Sequence, residues 1–325
     1  MKLGVLTVPF GSKPLKETLY YIKSLGLEAA EIGCGGFPGR AHCDPDVLLK
    51  DDAALKEFAG AFEETGIELS ALSCHGNPVH PDKEVAAMYH KHFEQAVLLA
   101  EKLGVKKIVT FSGCPGDHEG AKYPNWVTCP WPDDFLHILD YQWNEVLIPY
   151  WKKAAKFALD HGVEKIAFEM HPGFCVYNPE TLLKLRHAVG GTILGANFDP
   201  SHLFWQGIDP VEAIRYLGKE QAIHHFHAKD TWIDRANTAV NGVLDTKHYG
   251  KVLDRSWTFR SVGYGHDQQT WREMISMLRM TGYDHVLSIE HEDALMTGEE
   301  GFEKAVEFLK QSMIKDPAPT DMFWA

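Results

Sequence analysis

The chain has 325 residues, of which 45% are hydrophobic and 24% charged, with 28 glycines and 17 prolines. This composition is typical of a globular protein and excludes the collagenous, disordered and membrane-embedded classes. Because 45 acidic residues outnumber 32 basic ones, for a net charge of −13, the charge argues against nucleic acid as a partner.

Short apolar segments alternate along the chain with longer segments of helical spacing, a pattern typical of βα units around a parallel sheet. Strands are predicted at residues 2–8, 28–33, 67–74, 105–111, 164–171, 192–199, 221–229 and 285–291. Helices are predicted at residues 14–25, 52–65, 82–103, 135–161, 178–189, 209–217, 269–281 and 298–314. Eight such units predict an α/β fold with a single (β/α)8 TIM barrel domain over residues 1–325.

Two connections are too long to be simple loops. Residues 112–134 follow the fourth strand, and residues 230–268 follow the seventh. Because both follow strands, we expect them at the C-terminal mouth of the barrel, where loop insertions shape substrate pockets. Residues 316–325 form a C-terminal tail, predicted either to pack on its own barrel or to contact another subunit.

The cysteines and the hydropathy indicate where the protein works. None of the 6 cysteines forms a CxxC pair, which favours reduced thiols in a cytoplasmic enzyme. The N-terminal segment lacks the features of a signal peptide, and no apolar run is long enough to span a bilayer. We therefore expect a small-molecule partner and no membrane or nucleic acid, while a homo-oligomer or a heteromeric partner subunit stays open.

Four predicted strands end in a side chain that can bind a hard metal ion. These are Glu169, Asp199, His227 and Glu290. Side chains alternate faces along a strand, and the bulky apolar set must face the helices, so these four point into the mouth of the barrel. Three carboxylates and an imidazole suit one divalent ion, with Mn²⁺ the first choice and Co²⁺, Mg²⁺ or Zn²⁺ as alternatives. The competing interpretation is that the carboxylates cap helices or bind surface arginines.

The order and spacing of these motifs resemble the xylose isomerase-like superfamily, which holds ketose 3-epimerases, hydroxypyruvate isomerase, inosose dehydratase and endonuclease IV nucleases. The resemblance covers nearly the whole chain. It implies that the four strand-end residues bind one divalent metal. The motifs are FEMHPG at Glu169, DPSH at Asp199, FHAKD at His227, VGYG at Gly263 and Gly265, and IEHED at Glu290.

The nuclease branch of that superfamily can be set aside from the residues. Its members hold three zinc ions and need further His and Asp ligands after the fourth strand and before the glycine pair. Ser112 and Arg260 occupy those regions here, so a trinuclear site would lack ligands. The acidic net charge points the same way.

A metal that polarises a ketone also stabilises the enediolate formed when the neighbouring carbon loses its proton. Glu169 and Glu290 come from different strands, so one can take the proton and the other can return it on the opposite face, which gives epimerisation. Return to the adjacent carbon gives isomerisation. His202, one helical turn from Asp199, is predicted to hydrogen-bond a substrate oxygen or to orient a carboxylate.

Six further residues are candidates for substrate contact. The histidines would bind hydroxyl groups, the two cations would hold oxyanions unless they form surface ion pairs, and the tryptophans would stack on a sugar unless they only anchor their loops. The candidates are His75, His171, Lys229, Arg260, Trp126 and Trp232.

The sequence predicts a substrate class different from that of the small-ketose epimerases. Those enzymes carry a further acidic residue after the fifth-strand Glu, whereas no acid lies here between Glu169 and Glu180. The two long connections also predict a deeper mouth, suited to a larger keto-sugar or keto-glycoside. Elimination remains an alternative, as in a lyase, a dehydratase or a C-glycoside deglycosidase, because it begins with the same proton abstraction. A non-catalytic sugar-binding barrel is the alternative outside enzymology.

Overall fold

Eight parallel strands hydrogen-bond into a closed barrel in a computed structural model that describes residues 1–316, 321 and 324. Around the barrel the order is β1-β10-β7-β6-β5-β4-β3-β2, so each strand lies beside its neighbour in sequence, as predicted. Most of the tail predicted at residues 316–325 lies outside the described residues. The barrel strands are β1 (Lys2–Leu6), β2 (Ala29–Gly33), β3 (Glu68–Ser73), β4 (Lys107–Thr110), β5 (Lys165–Glu169), β6 (Leu194–Phe198), β7 (Ile223–Ala228) and β10 (Val286–Ile289).

Helices surround this barrel and begin and end at residues that suit their positions. Asp82 caps the first turn of its helix with its side chain, and Gly104 ends that helix in the left-handed region at φ 71°. Asn178 and Asp209 cap their helices in the same way, since each side chain accepts a backbone N–H of the first turn. The helices are α1 (Leu15–Ser24), α2 (Pro45–Leu48), α3 (Asp52–Thr65), α4 (Lys83–Leu103), α5 (Asp134–Asp140), α6 (Ile148–Asp160), α7 (Pro179–Val189), α8 (Pro200–Trp205), α9 (Pro210–Gly218), α10 (Arg235–Asn241), α11 (Gln268–Met280) and α12 (Gly298–Ser312).

The helix predicted at 135–161 differs from the prediction because it contains a π-helical segment, Tyr141–Leu147, between α5 and α6. Pro149, at the start of α6, has no N–H to donate to the preceding turn, which accounts for the wider turn there. Gln142 lies in this segment and its amide donates to the carbonyls of Pro115 and Asn125. The π-helical segment thereby anchors the long connection 112–134.

The core confirms the predicted alternation along β5. Ile166, Phe168 and Met170 are fully buried in the main apolar core. Ala167 instead belongs to a small separate cluster with Ala71 and Val109. Because these inward residues are small, the barrel has room for larger polar side chains, and those form the site described below.

The connection 230–268 contains elements that the sequence did not predict. Strands β8 (Asp230–Ile233) and β9 (Trp257–Arg260) pair as an antiparallel hairpin at the mouth of the barrel. The buried carboxylate of Asp230 accepts the backbone N–H groups of Gly263, Gly265 and His266. A Cβ at Gly265 would lie 2.3 Å from the Thr231 carbonyl oxygen, so only glycine allows this close approach. Asp230 and the glycine pair thus fix the base of the hairpin.

Within residues 1–316, 321 and 324, none of the helices combines the length and the apolar character that crossing a membrane requires.

Candidate active site

The four predicted strand-end residues lie at one end of the barrel. Glu169 is the last residue of β5, and His227 lies near the end of β7. Asp199 directly follows β6 and caps α8, where its Oδ1 accepts the backbone N–H of Ser201 at 2.8 Å. Glu290 directly follows β10. The carboxyl ends of neighbouring parallel strands meet at one rim, which explains why residues far apart in sequence converge here.

Histidines hold both oxygens of the Glu169 carboxylate. His202 Nε2 lies 2.8 Å from Oε1, and His75 Nε2 lies 3.0 Å from Oε2. Burial alone would raise the pKa of Glu169, but hydrogen bonds from His202, His227 and His75 hold it well below its ordinary value. Burial lowers the pKa of His202 to about 3, so this ring is neutral and donates a single N–H. Glu169 is therefore an ionised carboxylate in a fixed orientation.

The ring of His227 is oriented by a carboxylate beneath it. Its Nε2 lies 2.9 Å from Oε2 of Glu31, so Nδ1 faces the mouth, 3.1 Å from Glu290 and 3.4 Å from Glu169. Glu31 is fully buried in the barrel interior and also contacts His225 Nε2 at 2.8 Å and Ser288 Oγ at 2.8 Å. A carboxylate that fixes the second nitrogen of a metal-binding histidine is a common arrangement in metal sites.

Lys229 neutralises the acidic groups on the other side of the site. Its Nζ lies 2.8 Å from Glu290, 3.1 Å from Asp199 and 3.1 Å from Glu292. Burial alone would raise the pKa of Glu290, but Lys229 and His227 bring it to about 2. Burial raises the pKa of Asp199 to about 7, with Lys229 opposing the shift and the Glu169 and Glu290 charges adding to it.

These residues fit a divalent cation. One ligand atom from each of Glu169, His227 and Glu290 lies within 4.8 Å of the other two. The Oδ2 atom of Asp199 is buried without a well-formed hydrogen bond, although Lys229 Nζ is 3.1 Å away. A buried carboxylate oxygen without such a partner is costly, and a cation bound beside it would remove that cost. Carboxylate oxygens and one imidazole nitrogen are ligands that Mn²⁺, Mg²⁺ and Co²⁺ accept.

The predicted substrate contacts divide into two groups. His75, His171 and Lys229 line a cavity of about 160 Å³ together with Glu169 and Glu290.

The other three candidates lie away from this cavity. Arg260 pairs with Asp293 at 2.9 Å, so it forms an ion pair, the alternative to holding a substrate oxyanion. Trp126 packs edge-on against Tyr177 and lines a different cavity beside α7. Trp232 is 37% exposed on the β8–β9 hairpin.

Sequence reasoning did not find Glu31, Glu292 or His225 as parts of the site. Glu31 stands alone in the buried strand AAEIG, and an isolated acid in such a strand is the signal that could have singled it out. Glu292 lies two residues beyond Glu290 and also lines the cavity. His225 lies two residues before His227, on the same face of β7, where it reaches Glu31.

Known proteins resemble this chain in sequence and in fold. An uncharacterized protein of Bacillus subtilis, YfiH, is 43% identical over 315 residues, which cover 96% of this chain and 99% of YfiH. A crystal structure of D-psicose 3-epimerase superposes with a TM-score of 0.64 at 17% identity, covering 96% of this chain and 98% of that one. The apo 3-keto-D-glucoside 4-epimerase YcjR of E. coli superposes with a TM-score of 0.62 at 14% identity, covering 96% and 99%.

The family assignment rests on both the fold and the sequence. The family described as the xylose isomerase-like TIM barrel matches residues 19–312, most of the eight βα units and all four strand-end residues. The closed eight-stranded barrel agrees with that match. The chain therefore belongs to the xylose isomerase-like TIM barrel family.

Proposed function

We propose that the protein is a divalent-metal-dependent sugar isomerase or epimerase that moves a proton on the carbon next to a ketone. The observation that carries the proposal is the pair of ionised carboxylates, Glu169 and Glu290, which line one cavity and lie 3.4 and 3.1 Å from Nδ1 of His227. Solved structures of two sugar epimerases with this fold support the reaction class.

Glu169, Asp199, His227 and Glu290 would hold the metal. When bound, the ion supplies positive charge that polarises a ketone and stabilises the enediolate formed from it. The side chains supply the rest of the chemistry.

Glu290 is the better placed of the two carboxylates to take the proton. Its side chain is 16% exposed, whereas that of Glu169 is 3% exposed and is fixed by three histidines. Lys229 holds one Glu290 oxygen at 2.8 Å, which keeps the group ionised and fixes its direction. Glu169 lines the same cavity and, after taking up a proton from water, delivers it to the opposite face of the deprotonated carbon. Glu290 releases its own proton to water, and the exchange inverts the carbon.

His75 and His202 act through Glu169. Both rings donate to it and keep its carboxylate from rotating. His171 lies at the cavity wall with its ring 4.1 Å from that of His202, where it can meet a substrate hydroxyl. Lys229, beside Glu290 and Asp199, can donate to the substrate oxygen that becomes negative.

Incubation of a panel of keto-sugars and keto-glycosides with metal-loaded protein in D₂O tests the proposal. Deuterium at the carbon next to the ketone, with an inverted or isomerised product, is the expected result. Loss of water or of an aglycone would assign a lyase instead. No exchange in any compound would overturn the enzymatic proposal and leave a sugar-binding barrel.

A further inference from the structure

A second, larger cavity of about 560 Å³ opens directly outside the inner one. The two cavities share Phe37, Phe111, His171 and Glu292 in their walls. A molecule whose reacting carbon lies beside Glu290 therefore extends into the outer cavity if it is larger than a single small sugar.

An arc of six rings in contact runs along this outer cavity. Five of the rings line the cavity, and the sixth, His202, is buried and does not line it. Successive ring centroids lie 6.0, 5.1, 4.1, 5.2 and 5.8 Å apart. The middle of the arc contacts Glu169 through His202, so the arc begins at the inner site and opens outwards on both sides. In order, the rings are Phe37, Phe111, His171, His202, Phe259 and Tyr249.

The two ends of the arc are exposed aromatic side chains. Phe37 is 63% exposed and Tyr249 is 51% exposed. Leaving large apolar rings in water beside a catalytic pocket is unfavourable unless a ligand covers them. Aromatic rings bind flat partners by stacking, which suits both an aryl group and the apolar face of a sugar ring.

The charge of the outer cavity selects against anions. Among the described residues that line it, none is a lysine or an arginine, whereas Glu292 and Asp293 are present. Arg260 and the backbone N–H of Ser261 neutralise Asp293, at 2.9 and 2.8 Å. Glu292 is half exposed and pairs with Lys229 at 3.1 Å, and its carboxylate can accept hydrogen bonds from hydroxyl groups. Because both acids already have a cationic partner and the described lining adds no cation of its own, a phosphate would find no free positive charge in this cavity.

One wall of the cavity comes from the long connection 230–268. Tyr249, Thr258 and Phe259 all belong to it, and Tyr249 stacks on Phe259 with ring planes 22° apart. Because Asp230 fixes the base of this connection, the wall has a defined position relative to the inner site.

We propose that the outer cavity binds a neutral, flat ring attached to the keto-sugar, so that the substrate is a keto-glycoside rather than a free keto-sugar or a sugar phosphate. This inference rests on the proposed function and names its substrate class. The ring can belong to an aromatic aglycone or to a second sugar, because both present an apolar face to Phe37 and Tyr249.

Four probes that share one keto-glucose unit test the proposal: the free keto-sugar, its 6-phosphate, the methyl glycoside and the phenyl glycoside. A keto-disaccharide is the fifth probe, and it shows whether the outer cavity prefers a second sugar or an aryl ring. Deuterium exchange in D₂O gives kcat/KM, and the non-oxidised phenyl and methyl glucosides, which cannot react, give Kd by calorimetry. We expect kcat/KM for the phenyl glycoside or the disaccharide to exceed that of the methyl glycoside by about tenfold or more, the size of one good stacking contact.

Variants on the two walls show whether the preference for ring-bearing glycosides comes from stacking on the aromatic side chains. Tyr249→Ala and Phe37→Ala, on opposite ends of the arc, should each lower the preference for the ring-bearing glycoside about tenfold. Leu253→Ala is the matched control, because Leu253 lies in the same connection, is 86% exposed and does not line the cavity. This control should leave the preference unchanged.

The outcomes distinguish a failure of the cavity assignment from a failure of the proposed function. Equal kcat/KM for the methyl and phenyl glycosides and the disaccharide, or tight binding of the phosphate, would overturn the cavity assignment and leave the proposed function intact. Binding of phenyl glucoside that depends on Tyr249, with no exchange in any keto compound, would support the cavity and overturn the proposed function.

Discussion

Glu31 Oε2 lies 2.9 Å from Nε2 of His227, below the mouth of the barrel, and leaves Nδ1 as the ring nitrogen that faces Glu169 and Glu290. The tautomer and the angle of this proposed metal ligand are thus set by a residue on a strand 196 positions away in sequence. The carboxylate of Glu31 is itself held by His225 and Ser288.

Replacing Glu31 by glutamine tests this positioning role. The amide keeps the shape of the side chain but can no longer accept from both histidines, so the His227 ring loses its fixed tautomer. We expect metal affinity, measured by calorimetry, to fall about 10- to 100-fold. Glu28→Gln, at an exposed position just before the same strand, is the control and should leave the affinity unchanged. Equal affinities in the two variants would refute the role of Glu31.

Metal binding should stabilise the fold through the strand-end residues. At an Mn²⁺ concentration 100 times its Kd, the free energy of unfolding should rise by about 2.7 kcal/mol, and EDTA should reverse the gain. Asp199→Asn should lose most of this gain, because an amide is a poor substitute for the carboxylate oxygen that is buried here without a well-formed hydrogen bond. A melting temperature that does not respond to metal would contradict the assignment.

Asp230 holds the base of the β8–β9 hairpin together, so we predict that replacing it lowers the free energy of unfolding substantially. Its Oδ2 accepts three backbone N–H groups and lies 3.3 Å from the indole nitrogen of Trp271. Asp230→Asn replaces an acceptor by a donor against these groups, so urea titration should show a loss of about 2–4 kcal/mol. Asp234→Asn is the matched control, because asparagine also caps a helix, and its cost should stay below about 0.5 kcal/mol.

We expect the free energy of unfolding to depend on pH through His224, which lies at the opposite end of the barrel. Burial, helped by the charge of Lys165, lowers its pKa in the folded protein to about 3 from an ordinary value of 6.5. Between these values the unfolded chain binds the extra proton, so stability should fall as the pH drops below about 6.5, by up to ~1.4 kcal/mol per pH unit for this group.

Urea titrations at pH 7 and pH 5 measure this effect. His224→Gln keeps a donor toward the Thr192 carbonyl but does not titrate, so its stability should change less between the two pH values. His118→Gln, at an exposed position, should behave like the unchanged protein. An identical pH response in all three proteins would remove His224 as a cause.

The sequence was sufficient to predict the barrel because its evidence is local and repeated. Each βα unit carries its own apolar strand, several helices carry a capping side chain or end at a glycine, as α4 does at Asp82 and Gly104, and strand parity sends Glu169 and Glu290 to the same rim. The isolated acid in strand AAEIG could have drawn attention to Glu31, but its role could not be predicted, because its partners come from β7 and β10, which only the closed barrel brings near. The loop tryptophans were equally unpredictable, since the path of a long connection depends on distant anchors such as Gln142.

The central claim is that Glu290 exchanges the proton next to a substrate ketone. Mass spectrometry of a keto-glycoside incubated in D₂O measures this directly, with the metal content of each protein determined in parallel. The account predicts deuterium uptake with the unchanged protein and uptake reduced at least about 100-fold with Glu290→Gln, in metal-loaded protein. Equal uptake by both proteins at equal metal content would contradict it.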